Sequence, residues 1–113
     1  MNSREIAEAA VRALEDKKGM DIKLIDISNV SVMADCFVIA SGGSSNQVQA
    51  LCDNVEEEVC RKMGVEVKGI EGYNGAAWVL MDLGDVIVHI FDKESRSFYD
   101  LERIWKDGKL IEL

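Results

Sequence analysis

Trp78-Val79-Leu80-Met81-Asp82-Leu83-Gly84-Asp85-Val86-Ile87-Val88-His89-Ile90-Phe91 is the stretch whose reading decides the fold. Two apolar runs, residues 77–83 and 85–91, flank Leu83-Gly84, the pattern of a β-hairpin with a short turn. A two-residue connection at Leu83-Gly84 pairs Asp82 with Asp85, Leu80 with Ile87 and Trp78 with His89. One face then carries Val79, Met81, Val86, Val88 and Ile90, all aliphatic and suited to lie under helices. The opposite face carries Trp78, Leu80, Asp82, Asp85, Ile87, His89 and Phe91, mixing apolar with acidic side chains and holding the chain's one histidine. A three-residue turn with Gly84 in the left-handed conformation would flip one strand and mix the two sets. The two-residue register is preferred because it separates the faces. Left uncovered, the second face has the composition of a protein interface. The alternative is that the C-terminal segment covers Trp78 and Phe91.

Two amphipathic helices precede the hairpin. The first is expected over residues 3–18, capped by Asn2 with Glu5 returning the bond, striped by Ile6, Ala9, Ala10, Ala13 and Leu14, and ended by Gly19. The second starts at Ser44-Ser45, where Ser44-x-x-Gln47 reads as a capping box. Its stripe is Val48, Leu51, Cys52, Val55, Val59 and Met63, its wet side Glu56-Glu57-Glu58 and Arg61-Lys62, and Gly64 closes it. Residues 22–27 and 36–40 are apolar runs bounded by turn residues, and the second, apolar on both faces, belongs at the centre of a sheet. Residues 65–70 alternate as an edge strand does, 72–75 form a loop, and 93–105 form a short helical segment with Phe98, Leu101 and Ile104 on one side. The resulting order is αββαβββα. The expected fold is α/β (α+β), a mixed sheet of about five strands with helices packed mainly on one face.

Length and composition bound the function. At 113 residues, 48% hydrophobic and 30% charged, the chain is one domain's worth of globular sequence. Its apolar runs fall far short of the roughly 20 residues that span a bilayer, and the charged start Ser3-Arg4-Glu5 reads as no signal peptide. A cytoplasmic location and no membrane association are therefore expected. Thirteen basic residues against twenty-one acidic ones give a net charge of −8 and a pI near 4.6. A protein that grips phosphate backbones needs a basic face, and no window here concentrates Lys and Arg. Little direct nucleic-acid contact is expected. A basic protein suits this charge better. Cys36, Cys52 and Cys60 form no CxxC and read as small buried hydrophobes.

Three places in the sequence invite a chemical reading. His89 has no motif-positioned Cys or Ser beside it and reads as a packed or interface residue. Ser41-Gly42-Gly43-Ser44-Ser45 lies at a strand-to-helix junction, where free backbone N–H groups can cradle phosphate. Without the lysine of a phosphate loop, a turn and an N-cap explain it more simply. Asp82 and Asp85 raise the alternative of a metal-dependent nucleotidyltransferase-type enzyme, whose two Mg²⁺-holding aspartates sit at alternate positions of one strand. Here they straddle a turn instead. No cofactor, metal or catalytic residue is expected.

At these residues the sequence resembles a family. Residues 34–42 (ADCFVIASG), 77–91 (AWVLMDLGDVIVHIF) and 96–105 (RSFYDLERIW) resemble the ribosomal silencing factor, or Iojap-like, family, and the likeness runs from the first helix to Trp105. Ala34 stands where Thr is usual, Asn46 where a basic residue is frequent, and residues 106–113 extend past the family's common end, a possible C-terminal extension. The resemblance implies a non-enzymatic translation repressor. Members bind the large ribosomal subunit through the basic fourteenth protein of its series, on the subunit-joining face, and sterically block joining of the small subunit. It also implies a nucleotidyltransferase-like topology without the catalytic carboxylates, and often a homodimer. On this reading Trp78 and Leu80 are apolar anchors, Asp82, Asp85, Asp100 and Glu102 are charge complements, and Ile87, His89 and Tyr99 complete the partner-binding set. A toxin–antitoxin-like component has only the acidity in its favour.

Overall fold

Asn2 opens the first helix as its position predicts: its Oδ1 accepts the Glu5 N–H at 2.9 Å, and α1 runs Ser3–Asp16. The computed structural model describes residues 2–98 and 108–111. The end of α1 departs from expectation. Lys18, at φ 61°, takes the left-handed position, while Gly19 sits where a Cβ would crowd the Leu14 carbonyl at 3.0 Å. Glycine here answers to space rather than to handedness.

The strands are β1 (Met20–Asp26), β2 (Cys36–Gly42), β3 (Gly69–Glu71), β4 (Trp78–Asp82), β5 (Val86–Asp92) and β6 (Lys109–Ile111). Between β2 and β3 lies α2 (Ser45–Val55), which continues as a π-helical stretch over Glu56–Arg61, and α3 (Lys93–Phe98) follows β5 directly. The six strands lie in the order β3-β4-β5-β2-β1-β6, with β2 and β5 parallel and every other neighbouring pair antiparallel. The sheet is thus mixed, as expected. It has six strands rather than about five, because Lys109–Ile111 pairs with β1 at one edge. The alternating stretch after α2 is also trimmed: only Gly69–Glu71 is strand, at the other edge. Strand β2 is buried along all seven residues and lies in the middle of the sheet, as a run apolar on both faces must.

Residue parity divides the sheet. On one side α1 and α2 bury Ala10, Leu14, Val48, Leu51, Cys52 and Val55 against Leu24, Val38, Ala40, Val79, Met81, Val88 and Ile90. On the other side a smaller cluster gathers Ile25, Ile27, Ala34, Phe37, Ile39 and Phe91, with Trp78 and Ile87 packed against it. Both helix-facing rows of the hairpin were legible from its alternation.

Cys36 and Cys52 are buried free thiols, pushed up to about 11 and about 12 by desolvation, and Cys60 is raised for the same reason. They pack as hydrophobes. Among the described residues no helix is long and apolar enough to cross a membrane.

Candidate functional site

The hairpin register differs from the expected one. Trp78 pairs with Phe91, Leu80 with His89 and Asp82 with Ile87, so the turn lies at Gly84-Asp85 instead of Leu83-Gly84. Leu83 N–H donates to the Val86 carbonyl at 2.9 Å, and Gly84 takes φ +90°. Two causes act together. Leu83 is 4% exposed, so placing it in the turn would forfeit the burial of a leucine, about 2 kcal/mol. Gly84 then supplies the left-handed conformation that a tight turn needs at its first position. Asp82 therefore does not face Asp85. Its Oδ1 accepts the Gly84 N–H at 2.9 Å, and Asp85 is exposed at the turn. The slide moves each cross-strand partner by two residues, so the two faces keep the membership that alternation assigned them.

Across the helix-free side, residues fall into rows that cross three strands. Trp78, Phe91 and Ser41 form one row, Leu80, His89 and Ile39 the next, and Asp82, Ile87 and Phe37 the third. The first row is closed over. Phe91 is fully buried, Trp78 is half-buried and stacks on it with ring centroids 5.1 Å apart, and Arg96 of α3 donates to Ser41 Oγ at 2.9 Å and to the Asp21 carbonyl at 2.8 Å. Gly72 belongs to the same end: at φ +81° it passes so close to the Trp78 carbonyl oxygen that a Cβ would collide with it.

In the other two rows Leu80, Asp82 and Ile87 are half-buried, over a floor of buried His89, Ile39 and Phe37. A groove of about 340 Å³ is lined by Leu80, Asp82, Gly84, Ile87 and His89 of the hairpin, by Phe37 of β2, and by Ser31, Met33 and Ala34 of the loop between β1 and β2. Of the sequence-predicted site residues, Leu80, Asp82, Ile87 and His89 converge on this groove. Trp78 stands beside it, against His89, and Asp85 lies at the adjoining turn. Tyr99, Asp100 and Glu102 lie outside the described residues, as does residue 105 at the end of the expected helical segment.

His89 is the most constrained side chain here. It is 4% exposed, meets Phe37 edge-on at 4.7 Å, and its Nδ1 accepts the Trp78 Nε1–H at 3.1 Å. Because Nδ1 is an acceptor, the proton of the neutral ring is on Nε2. Burial pushes the histidine down to about 4, so the ring is uncharged at neutral pH. Nε2 is buried and has no hydrogen-bond partner among the described residues. Among the described residues no carboxylate or nucleophile is bonded to the ring.

The phosphate-cradle alternative at Ser41-Gly42-Gly43-Ser44 is filled from within. Ser44 Oγ accepts the Gln47 N–H at 3.1 Å, and Gln47 Oε1 takes the Gly43 N–H at 2.6 Å. Gln47 Nε2 then donates to the Lys17 and Lys18 carbonyls, tying α2 to the end of α1. Among the described residues no three His, Cys, Asp or Glu side chains are close enough to share a metal ion.

Sequence reasoning missed the loop of residues 28–34. Val32 is fully exposed and Met33 is 86% exposed, beside a half-open Val30. The signal was present in Val30-Ser31-Val32-Met33, three apolar residues between turn formers with no periodic partner.

Comparison with known proteins carries the same architecture to named relatives. The family described as "Ribosomal silencing factor during starvation" matches residues 1–113. The ribosomal silencing factor RsfS of Halalkalibacterium halodurans is 42% identical over the whole chain and 96% of its own length, and that of Bacillus subtilis is 42% identical over the whole chain and 95% of its length. An X-ray crystal structure of a protein from Chromobacterium violaceum superposes with a TM-score of 0.90 at 39% identity, covering 94% of this chain and 88% of that one. A full-length match, relatives of equal length and a shared sheet agree: the chain belongs to the ribosomal silencing factor family.

Proposed function

We propose that the groove face of the hairpin binds the large ribosomal subunit through a basic ribosomal protein on its subunit-joining face, the fourteenth of the large-subunit series, and that the bound domain keeps the small subunit from joining. One observation carries this reading. An apolar groove is edged by Asp82, with Asp35 and Asp85 at the same end of the sheet, and none of the three has an ion-pair partner within 4 Å among the described residues. Unpaired carboxylates around apolar surface suit a cationic partner and repel phosphate. Leu80 and Ile87 supply apolar contact, Trp78 and His89 hold the groove's shape, and Asp82 and Asp85 steer encounter. Tyr99, Asp100 and Glu102, expected from the sequence to share in binding, lie outside the described residues. With a bacterial ribosome as partner, as the bacterial relatives suggest, the protein would work in the cytoplasm.

The inhibition needs no chemistry. The domain measures 34 × 32 × 24 Å, and surfaces that must meet closely cannot close over such a body. One folded molecule disables one large subunit, which recovers when the protein leaves. The test mixes large and small subunits with increasing protein and follows the joined fraction over time. Joining should fall to a plateau at molar equivalence. Continued loss with time at a tenth of an equivalent is the behaviour of an enzyme and would end the steric reading.

A further inference from the structure

The loop of residues 28–34 is held in shape while it displays apolar side chains to water. Its neck is closed by the Ile27 N–H on the Asp35 carbonyl at 2.8 Å. Asp26 Oδ1 accepts both the Ser28 N–H at 2.9 Å and the Ser28 hydroxyl at 2.6 Å, bonds that lower the Asp26 carboxyl below its usual range. The Val30 and Ser31 N–H groups both bond to the Ile27 carbonyl, and Ser31 Oγ accepts the Met33 N–H at 3.1 Å. Every one of these bonds is local and none uses a Val32 or Met33 side chain. Exposing two large apolar side chains on an ordered loop brings no folding benefit.

We propose that this loop is the second wall of a clamp, facing the hairpin across the groove, and that the clamp takes a lysine- or arginine-bearing segment of a basic protein. The proposal rests on the reading of the hairpin face as ribosome-binding and adds the wall that the hairpin lacks. Ser31, Met33 and Ala34 line the same groove as Leu80, Ile87 and His89, so one occupant touches both walls. A long cationic side chain fits such a site by lying its aliphatic stem along Met33 and Ile87 and carrying its charge to the carboxylates. Asp82 lies in the groove, and the Asp35 N–H bonds to the Asp85 carbonyl at 2.7 Å, which brings the other two acids to one end. Lys68 passes beside Gly84 but makes no ion pair with them among the described residues. His89 closes the floor of the groove, its ring neutral and buried beneath Leu80 and Ile87, so the floor adds no charge of its own.

The experiment measures equilibrium binding of the full chain to purified large ribosomal subunits. Two variants isolate the walls. Val32→Ser with Met33→Ser alters only exposed side chains, so its melting temperature should match the parent. Asp82→Asn keeps Oδ1 for the Gly84 N–H while removing the charge. Both should weaken binding, the loop variant by about tenfold or more, as truncated interface contacts do. If the loop variant binds as tightly as the parent while Asp82→Asn is weakened, the clamp is overturned and the hairpin reading stands. If neither variant changes binding, the hairpin reading falls and the clamp falls with it. Weakening by the loop variant alone overturns the clamp, since a segment held between two walls feels both.

Discussion

The two sides of the sheet are built from the same alternating strands yet are finished differently. On the helix side, apolar residues from β1, β2, β4 and β5 meet α1 and α2, and every hairpin residue that points there is fully buried or nearly so. On the other side, the next residues along the same strands form a row that is closed at Trp78 and Phe91 and open at Leu80 and Ile87. The first side spends its apolar surface on stability and the second keeps some of it available. Stability and recognition are thereby separated by residue parity, one residue apart on the same strand. Substitutions on β4 and β5 therefore report on one side at a time.

Met81 and Leu80 make the most direct test. Met81→Ala removes a fully buried side chain beneath the helices and should cost about 2–5 kcal/mol in urea unfolding. Leu80→Ala, its neighbour in the half-buried row, should cost clearly less while weakening subunit binding. Equal losses of stability would erase the distinction between the sides.

The next effect belongs to His89. The unfolded chain binds a proton at the ordinary histidine value of 6.5, whereas the folded ring resists protonation down to about 4. The stabilisation from keeping His89 neutral is complete above pH 6.5 and is lost as pH falls from there toward 4. The loss amounts to about 3 kcal/mol. His89→Gln retains an acceptor for Trp78 and cannot titrate. Denaturation midpoints compared between parent and variant at pH 7, 6, 5 and 4 should diverge from neutrality downward, the parent falling faster. Parallel curves would mean that the buried ring is protonated at little cost.

Trp78→Phe follows. It keeps an aromatic ring over Phe91 but removes the Nε1–H, leaving both His89 nitrogens without a partner among the described residues. About 1–3 kcal/mol of stability should be lost. A variant with unchanged stability would show that water takes the indole's place, and the site would be wetter than its burial indicates. The smallest effect is expected at Asp85→Asn: an exposed turn carboxylate should alter stability by under about 0.5 kcal/mol, yet flatten the salt dependence of the association rate. An unaltered salt dependence would remove Asp85 from the encounter surface.

Much of this division was legible in the residues. Period-two alternation assigned Val79, Met81, Val88 and Ile90 to one side and Trp78, Leu80, Ile87 and His89 to the other, and the caps at Asn2 and Ser44 began both helices where expected. The turn lies one residue later than expected: separation of the faces does not distinguish the two positions, whereas Gly84 at the first turn position and burial of Leu83 both decide for Gly84-Asp85. Strand β6 was missed since three residues carry no pattern of their own and are ordered by pairing with β1. The groove was half visible. Its hairpin wall follows from alternation, but the wall made by Met33 and Ala34 depends on how a loop of no periodicity folds back beside β2.

The parallel pair at the sheet's centre has a consequence for how the chain is made. Cys36 lies beside Val86 and Gly42 beside Asp92, so β2 finds its central neighbour only after residues 43–85 have been added. An emerging chain can assemble α1, β1, β2 and α2 early, yet β2 is buried along its whole length only once β5 docks. Distant pairings of this kind are slow to close. Until then, the first half presents an unfilled strand edge to its surroundings. A member of the ribosomal silencing factor family is thus itself dependent on synthesis reaching Asp92 before its central strand is shielded.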